Sequence, residues 1–295
     1  MHEAIPSRSA LRVALRRAAH QIYDPPPLVF PDPLAVPILG GERGEHGEAL
    51  RKTATKLHKP HSVALRAFLV ARSRYAEDTL AQAVHHGVTQ YVLLGAGLDT
   101  FAHRNPHPNL RVFEVDHPAT QAWKQELLTG ANLPTPPRLT FVPLDLEDFE
   151  RESLPQRLHV SGFDPTQPTF FAWLGVVPYL TLEAFRSTIA FIAAQPPCSG
   201  VVFDYGLPRA ALPPHEQLAR DSLAARVLQS GEPFQLFFTP AEVASELSPP
   251  LAAFTRIEDL GTPEINARYF PHHQQSPQPH LQLRGSSTRL LTAWL

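Results

Sequence analysis

The chain has 295 residues, 43% of them hydrophobic and 18% charged, with a formal net charge of −2. That is enough apolar material for one large core, and it leaves neither an electrostatic footprint for nucleic acid nor a long basic run for an anionic membrane. No stretch reaches the ~18 uninterrupted apolar residues of a transmembrane helix, and a single cysteine, Cys198, excludes an internal disulfide framework or a cysteine zinc cage.

The first pattern is a helix over 7–21. Its Arg8, Arg12, Arg16 and Arg17 lie among alanines and leucines and run into polar His20-Gln21, unlike a secretory leader. Asp24-Pro25-Pro26-Pro27 breaks it. Residues 28–61 hold short apolar pieces, a glycine-rich turn and a polar helix, and 1–61 reads as a cap. A helix follows from Ser62 to His86, with Gly87 as its stop. Apolar runs at Gln90–Leu94, Arg111–Val115, Leu139–Leu144, Thr169–Leu174 and Val201–Tyr205 then read as strands. Helical patterns over Ala119–Leu128, Leu146–Leu158 and Leu182–Ala194 are interspersed among them. This alternation indicates βαβ units and a mostly parallel sheet, and runs without polar alternation fit strands covered on both faces. The Pro-rich stretch 207–250 reads as a second part of the cap; 256–260 and 287–294 read as strands that close the sheet. The expected organisation is one domain over 1–295. It comprises a cap (1–61), a core (62–206), a cap insertion (207–250) and a sheet-closing part (251–295).

Chemistry concentrates where the strands end. The run Tyr91-Val92-Leu93-Leu94 enters Gly95-Ala96-Gly97-Leu98-Asp99-Thr100, a glycine turn at the end where open parallel sheets bind ligands. A dinucleotide fingerprint wants a small residue three positions after the second glycine. Thr100 stands there, and Asp99 would repel a pyrophosphate while favouring a cationic ligand. The next strand ends in Asp116, close to the ~20-residue offset at which an acid accepts both ribose hydroxyls; Asp116 also suits a cap for the helix that His117-Pro118 begins. The third strand ends in Asp145-Leu146, an acceptor for an adenine amine beside an apolar contact.

These residues resemble the S-adenosylmethionine-dependent methyltransferases related to leucine carboxyl methyltransferases, in their bacterial branch. The likeness is carried by Ala71 to Asp78, Gln90 to Thr100, Arg104, Phe113 to Pro118 with Lys124, Asp145-Leu146 and Trp173 to Leu180. Weaker likeness runs from Asp24-Pro25 and Asp32 to Ala35 as far as Arg268-Tyr269-Phe270 and the last strand. The resemblance implies a Rossmann-like class I methyltransferase, an α/β fold with a mostly parallel seven-stranded sheet, helices on both faces and a helical cap. It implies S-adenosyl-L-methionine as cofactor, with Asp116 on the ribose and Asp145 with Leu146 on the adenine. It also implies an arginine for the methionyl carboxylate from the helix before the first strand, where bidentate pairing favours Arg over Lys. Arg72 and Arg74 both fit, with a slight preference for Arg72. One departure is Leu174, which stands where the leucine carboxyl enzymes carry an acid; carry-over of their substrate therefore does not follow.

The expected cofactor-binding set is Arg72, Arg74, Gly95, Gly97, Asp99, Asp116, Asp145 and Leu146. No metal is expected, since His58 and His61 are separated by Pro60 and no His-Glu-x-x-His occurs. The expected reaction moves a methyl group to a small-molecule hydroxyl or carboxyl oxygen in a cytoplasmic protein, without nucleic-acid or membrane partners. A general base is not identified; His58, His61, Tyr179, Asp204 and Tyr205 are candidates by position alone. A nicotinamide-dependent oxidoreductase and a non-catalytic S-adenosylmethionine-binding protein are the alternative classes.

Overall fold

A computed structural model of the protein describes residues 7–41, 44, 46–55, 59–147, 153–228, 233–271 and 281–295. In chain order the elements are α1 (Arg8–Tyr23), α2 (Gly47–Ala54), α3 (Pro60–His85), β1 (Gln90–Leu94), α4 (Phe101–Arg104), β2 (Arg111–Asp116), α5 (Pro118–Gly130), β3 (Leu139–Pro143), α6 (Leu154–Val160), β4 (Thr169–Trp173), α7 (Leu182–Ala193), β5 (Gly200–Gly206), α8 (Pro214–Leu228), α9 (Pro240–Glu246), β6 (Arg256–Leu260), α10 (Thr262–Tyr269) and β7 (Thr288–Trp294). The strands form one sheet in the order β3-β2-β1-β4-β5-β7-β6. β1 to β5 are parallel, and β7 runs antiparallel between β5 and β6. This is the Rossmann-like, mostly parallel seven-stranded sheet expected of a class I methyltransferase.

The central strands β1, β4 and β5 are buried along their whole length because both faces are covered. On one face Leu94, Phe113, Phe171, Trp173 and Phe203 pack with α6, α7 and α9; on the other Tyr91, Leu93, Val112, Phe170 and Val202 pack with α3, α4 and α10. A smaller cluster joins Ala14, Leu15 and Ala18 of α1 to Ile38, Leu39, Leu50, Leu98 and Leu128. The first helix therefore lies against the glycine turn. Ser7 caps α1 by accepting the Ala10 N–H at 3.1 Å, and α1 ends ahead of Asp24 and its prolines. Among the described residues, no helix is long and apolar enough to cross a membrane.

Two expectations need correction. The helix expected over Leu146–Leu158 begins only at Leu154, where Ser153 caps it; Leu146 and Glu147 lie in a turn, and 148–152 fall outside the described residues. The segment before the polar loop forms α10, which the sequence analysis does not anticipate. Glu264 accepts the Gly261 N–H at 2.9 Å and Pro263 stands in the first turn, both helix-start signals.

Candidate active site

Gly95 and Gly97 follow β1 with φ of +69° and +50°, backbone that glycine adopts without strain. The Gly95 and Ala96 N–H groups donate to Val115 O at 2.8 and 3.1 Å, which folds the turn over the end of β2. Asp116 sits there. Its Oδ2 accepts the Gly97 N–H and its Oδ1 accepts the His117 N–H at 2.7 Å. Each oxygen keeps a second lone pair, the acceptor capacity that a ribose cis-diol requires. Burial pushes the Asp116 carboxyl above the usual aspartate range, against the pull of the two N–H donors and of Lys124. Below it Lys124 Nζ and Glu114 Oε2 form a buried pair at 2.6 Å, and Gln121 donates to Glu114 O.

At the end of β3, Asp145 is exposed and its Oδ1 accepts the Glu147 N–H at 3.0 Å. A small crevice opens beside Asp145 and Leu146, walled by Leu144, Leu154, Ala184 and Phe191. Ser153, Ser187 and Thr188 add hydroxyls to its lining.

The two helix arginines separate. Arg72 points across the ends of β4 and β5: its Nη1 lies 3.1 Å from Asp204 Oδ2, and Asp204 Oδ1 accepts the Gly175 N–H at 2.6 Å. Gly175 has φ +74°, and a Cβ there would meet the Arg72 guanidinium at 2.7 Å, so glycine makes room for the cation. Arg74 faces the other way, half exposed, with Nε 2.7 Å from Asp78. Two residues apart on a helix point about 200° apart, and Arg72 is the one turned toward the ends of β4 and β5.

Asp99 joins a largely buried charge network. Its Oδ1 accepts the Phe101 N–H at 2.7 Å and its Oδ2 pairs with Arg17 of α1 at 3.1 Å. Arg17 also meets Asp32 at 2.5 Å and Thr100 Oγ1 at 3.0 Å. Arg104 donates to the same hydroxyl at 3.0 Å and forks onto Glu77. Burial works against the Arg17 charge, yet Asp99 and Asp32 outweigh it and hold the guanidinium above its ordinary value. Burial likewise opposes the Asp99 charge, but Arg17 and Arg104 bring its carboxyl below the usual range. The Asp-Thr of the motif thus ties the glycine turn to the cap. A pairing of residues 82 positions apart leaves no trace in local sequence pattern.

The candidate bases are scattered. Tyr205 donates to Asp259 at 2.8 Å, on the β6 side of the sheet. Asp204 is gripped by Arg72 and the Gly175 N–H. Tyr179 donates to Ser9 at 3.3 Å, and its ring lies 5.2 Å from Phe234. His58 and the His61 side chain lie outside the described residues.

Residues 10–193 match the family described as leucine carboxyl methyltransferase. The chain belongs to the leucine carboxyl methyltransferase family. It is 33% identical over 290 residues to "Putative S-adenosyl-L-methionine-dependent methyltransferase YktD" of Bacillus subtilis (strain 168), covering 92% of this chain and 93% of that protein. A protein of Frankia alni with the same description is 33% identical over 188 residues, 63% of each chain. Among solved structures, a DUF574 family protein from Streptomyces avermitilis shares the fold with a TM-score of 0.55 at 20% identity, covering 87% of this chain and 94% of that one. As a member of this family the protein is an S-adenosyl-L-methionine-dependent methyltransferase, and the nicotinamide reading falls away.

Proposed function

We propose that the protein methylates an oxygen of a small molecule, and that this oxygen belongs to a group already anionic near neutral pH, such as a carboxylate. The bound cofactor supplies a methyl group already activated on a sulfonium, so the protein's share is alignment and exclusion of water. Asp116 would hold the ribose, Asp145 and Leu146 the adenine, and Arg72 the methionyl carboxylate. Their separate strand ends would fix the direction of the donor. The observation that carries the oxygen reading is the state of Asp204. Asp204 lies near the end of β5, where one oxygen accepts from Arg72 and the other from the Gly175 N–H. A hydroxyl acceptor would gain from a base; a carboxylate brings its own negative charge. The family described as leucine carboxyl methyltransferase supports the same choice. The ring of Tyr179 and its contact with Ser9 would close the acceptor side against water.

The test is methyl transfer from methyl-labelled cofactor to a metabolite extract, followed by mild alkali. Label released as methanol marks an ester and supports a carboxylate acceptor. Alkali-stable label on nitrogen or carbon would overturn the oxygen reading.

A further inference from the structure

The segment 233–238 crosses from the exit of β4 to that of β5. The Gln235 N–H donates to Pro178 O at 2.7 Å, and the Phe238 N–H to Gly206 O at 3.0 Å. It carries Phe234 and Phe237, both partly exposed, with ring centroids 6.3 Å apart; Phe234 in turn meets Tyr179 at 5.2 Å. At the far end of this row stands Arg220 of α8, its guanidinium carbon 3.9 Å from the centre of the Phe237 ring. Gly206 permits this close stack, since a Cβ there would lie 3.1 Å from Phe237 and 3.4 Å from Arg220 Nη2. Gly206 is two residues beyond Asp204 on β5, so it shares a face with the Asp204–Arg72 pair about 7 Å further along the strand.

Arg220 is partly buried. Its Nη1 donates to Leu207 O. No carboxylate among the described residues pairs with it, and Asp221, its sequence neighbour, is instead gripped by Arg209 at 2.9 Å. Burial lowers the guanidinium's affinity for its proton, with only Asp221 acting the other way. The Nε and Nη2 donors form one edge of the guanidinium without a partner among the described residues. Such an edge matches the two oxygens of a carboxylate, and the stacked aromatic rings beside it offer an apolar platform.

We propose that Arg220 is the specificity-determining anchor for the methyl acceptor, binding a carboxylate of an aromatic or similarly flat organic acid whose body lies on Phe237 and Phe234. The proposal rests on the methyltransferase site being the one described above, and it deepens that reading by naming the acceptor's chemistry. An acid lacking the flat apolar part would gain only a single exposed ion pair. A neutral amide of the same shape would leave the Nε–Nη2 edge unpaired.

The experiment titrates the protein, saturated with S-adenosylhomocysteine, with phenylacetate, benzoate and cinnamate and with their amides, by isothermal titration or ligand-observed NMR. At least one acid is expected to bind roughly 10- to 100-fold more tightly than its amide, the size of a charge-assisted hydrogen-bond pair. R220Q is expected to abolish that difference with S-adenosylhomocysteine affinity unchanged, and R220K to restore part of it. The conservative R220K serves as the folded control if R220Q loses its melting transition. Equal binding of acids and amides, no binding by any acid, or an R220Q protein that keeps the preference would each overturn the proposal. Failure of S-adenosylhomocysteine to bind would instead strike the cofactor site; the acid titration of the ligand-free protein then still reads Arg220 by itself.

Discussion

Arg17 over β1 and Arg220 beside β5 are both cations drawn partly out of water, and their surroundings differ. Arg17 meets two carboxylates and a hydroxyl, and it ties α1, the segment around Asp32 and the glycine turn into one body. Arg220 meets a carbonyl and an aromatic face. Where the protein supplies the counter-charge, geometry is set before any ligand arrives. Where it does not, the desolvated charge is a standing preference for an anion. The glycine turn after β1 is of the first kind, the surroundings of Arg220 of the second.

The sharpest way to break that contrast is Arg17→Met. It takes Arg17 away from Asp32 and Asp99, leaving Arg104, 3.4 Å from Asp32, as the remaining cation, and removing one member of a buried pair costs about 3–5 kcal/mol. Urea denaturation should show a loss of that order, and a loss below about 1 kcal/mol would mean that the network is not a scaffold. Next comes Asp116→Ala, expected to weaken S-adenosylhomocysteine binding by roughly 1–3 kcal/mol, the range for buried hydrogen bonds to a charged acceptor. Calorimetric titration of the folded variant reads it, and unchanged affinity removes Asp116 from the ribose.

The same group gives a pH test. Burial raises its folded-state pKa, so its contribution to ligand-free stability is fully present below the unfolded value and is lost as pH rises through the folded one. Ligand affinity runs the other way, because the ionised form accepts the hydroxyls. Titrations taken downward from pH 7 should weaken before the ordinary aspartate range is reached, and the Asp116→Ala protein should lack that early fall. The smallest effects compare the helix arginines. Arg72→Lys should lower S-adenosylhomocysteine affinity several-fold because the fork is lost, whereas Arg74→Lys, at an exposed i,i+4 pair, should change neither binding nor stability by more than about 0.5 kcal/mol. Equal losses in both would place the methionyl carboxylate elsewhere.

Much of the frame was legible in the sequence, for a physical reason. Strands buried on both faces are unbroken apolar runs, so β1 to β5 declare themselves, and glycines with positive φ mark the turn after β1. The start of α6 was misplaced because Leu146 and Glu147 continue an apparent helical pattern, while the decisive signal, Ser153 followed by Leu154-Pro155, lies further on. The tie between Asp99 and Arg17 has no local signature because the arginine comes from a distant helix. Arg220 went unmarked for the opposite reason. A lone arginine in a mixed, Pro-rich stretch says nothing until the fold shows which charges it lacks.

The position of β7 bears on how the chain reaches this state during synthesis. Residues 288–294 pair with β5 along its whole length and with β6 on the other side. Until they leave the ribosome, β6 has no place in the sheet, and Val201, Val202 and Phe203 of β5 border an open hydrogen-bonding edge. Such edges invite pairing with other chains. A nascent chain thus carries the glycine turn, Asp116 and Asp145 long before its sheet is closed, and β7 converts an adhesive edge into the middle of a sheet.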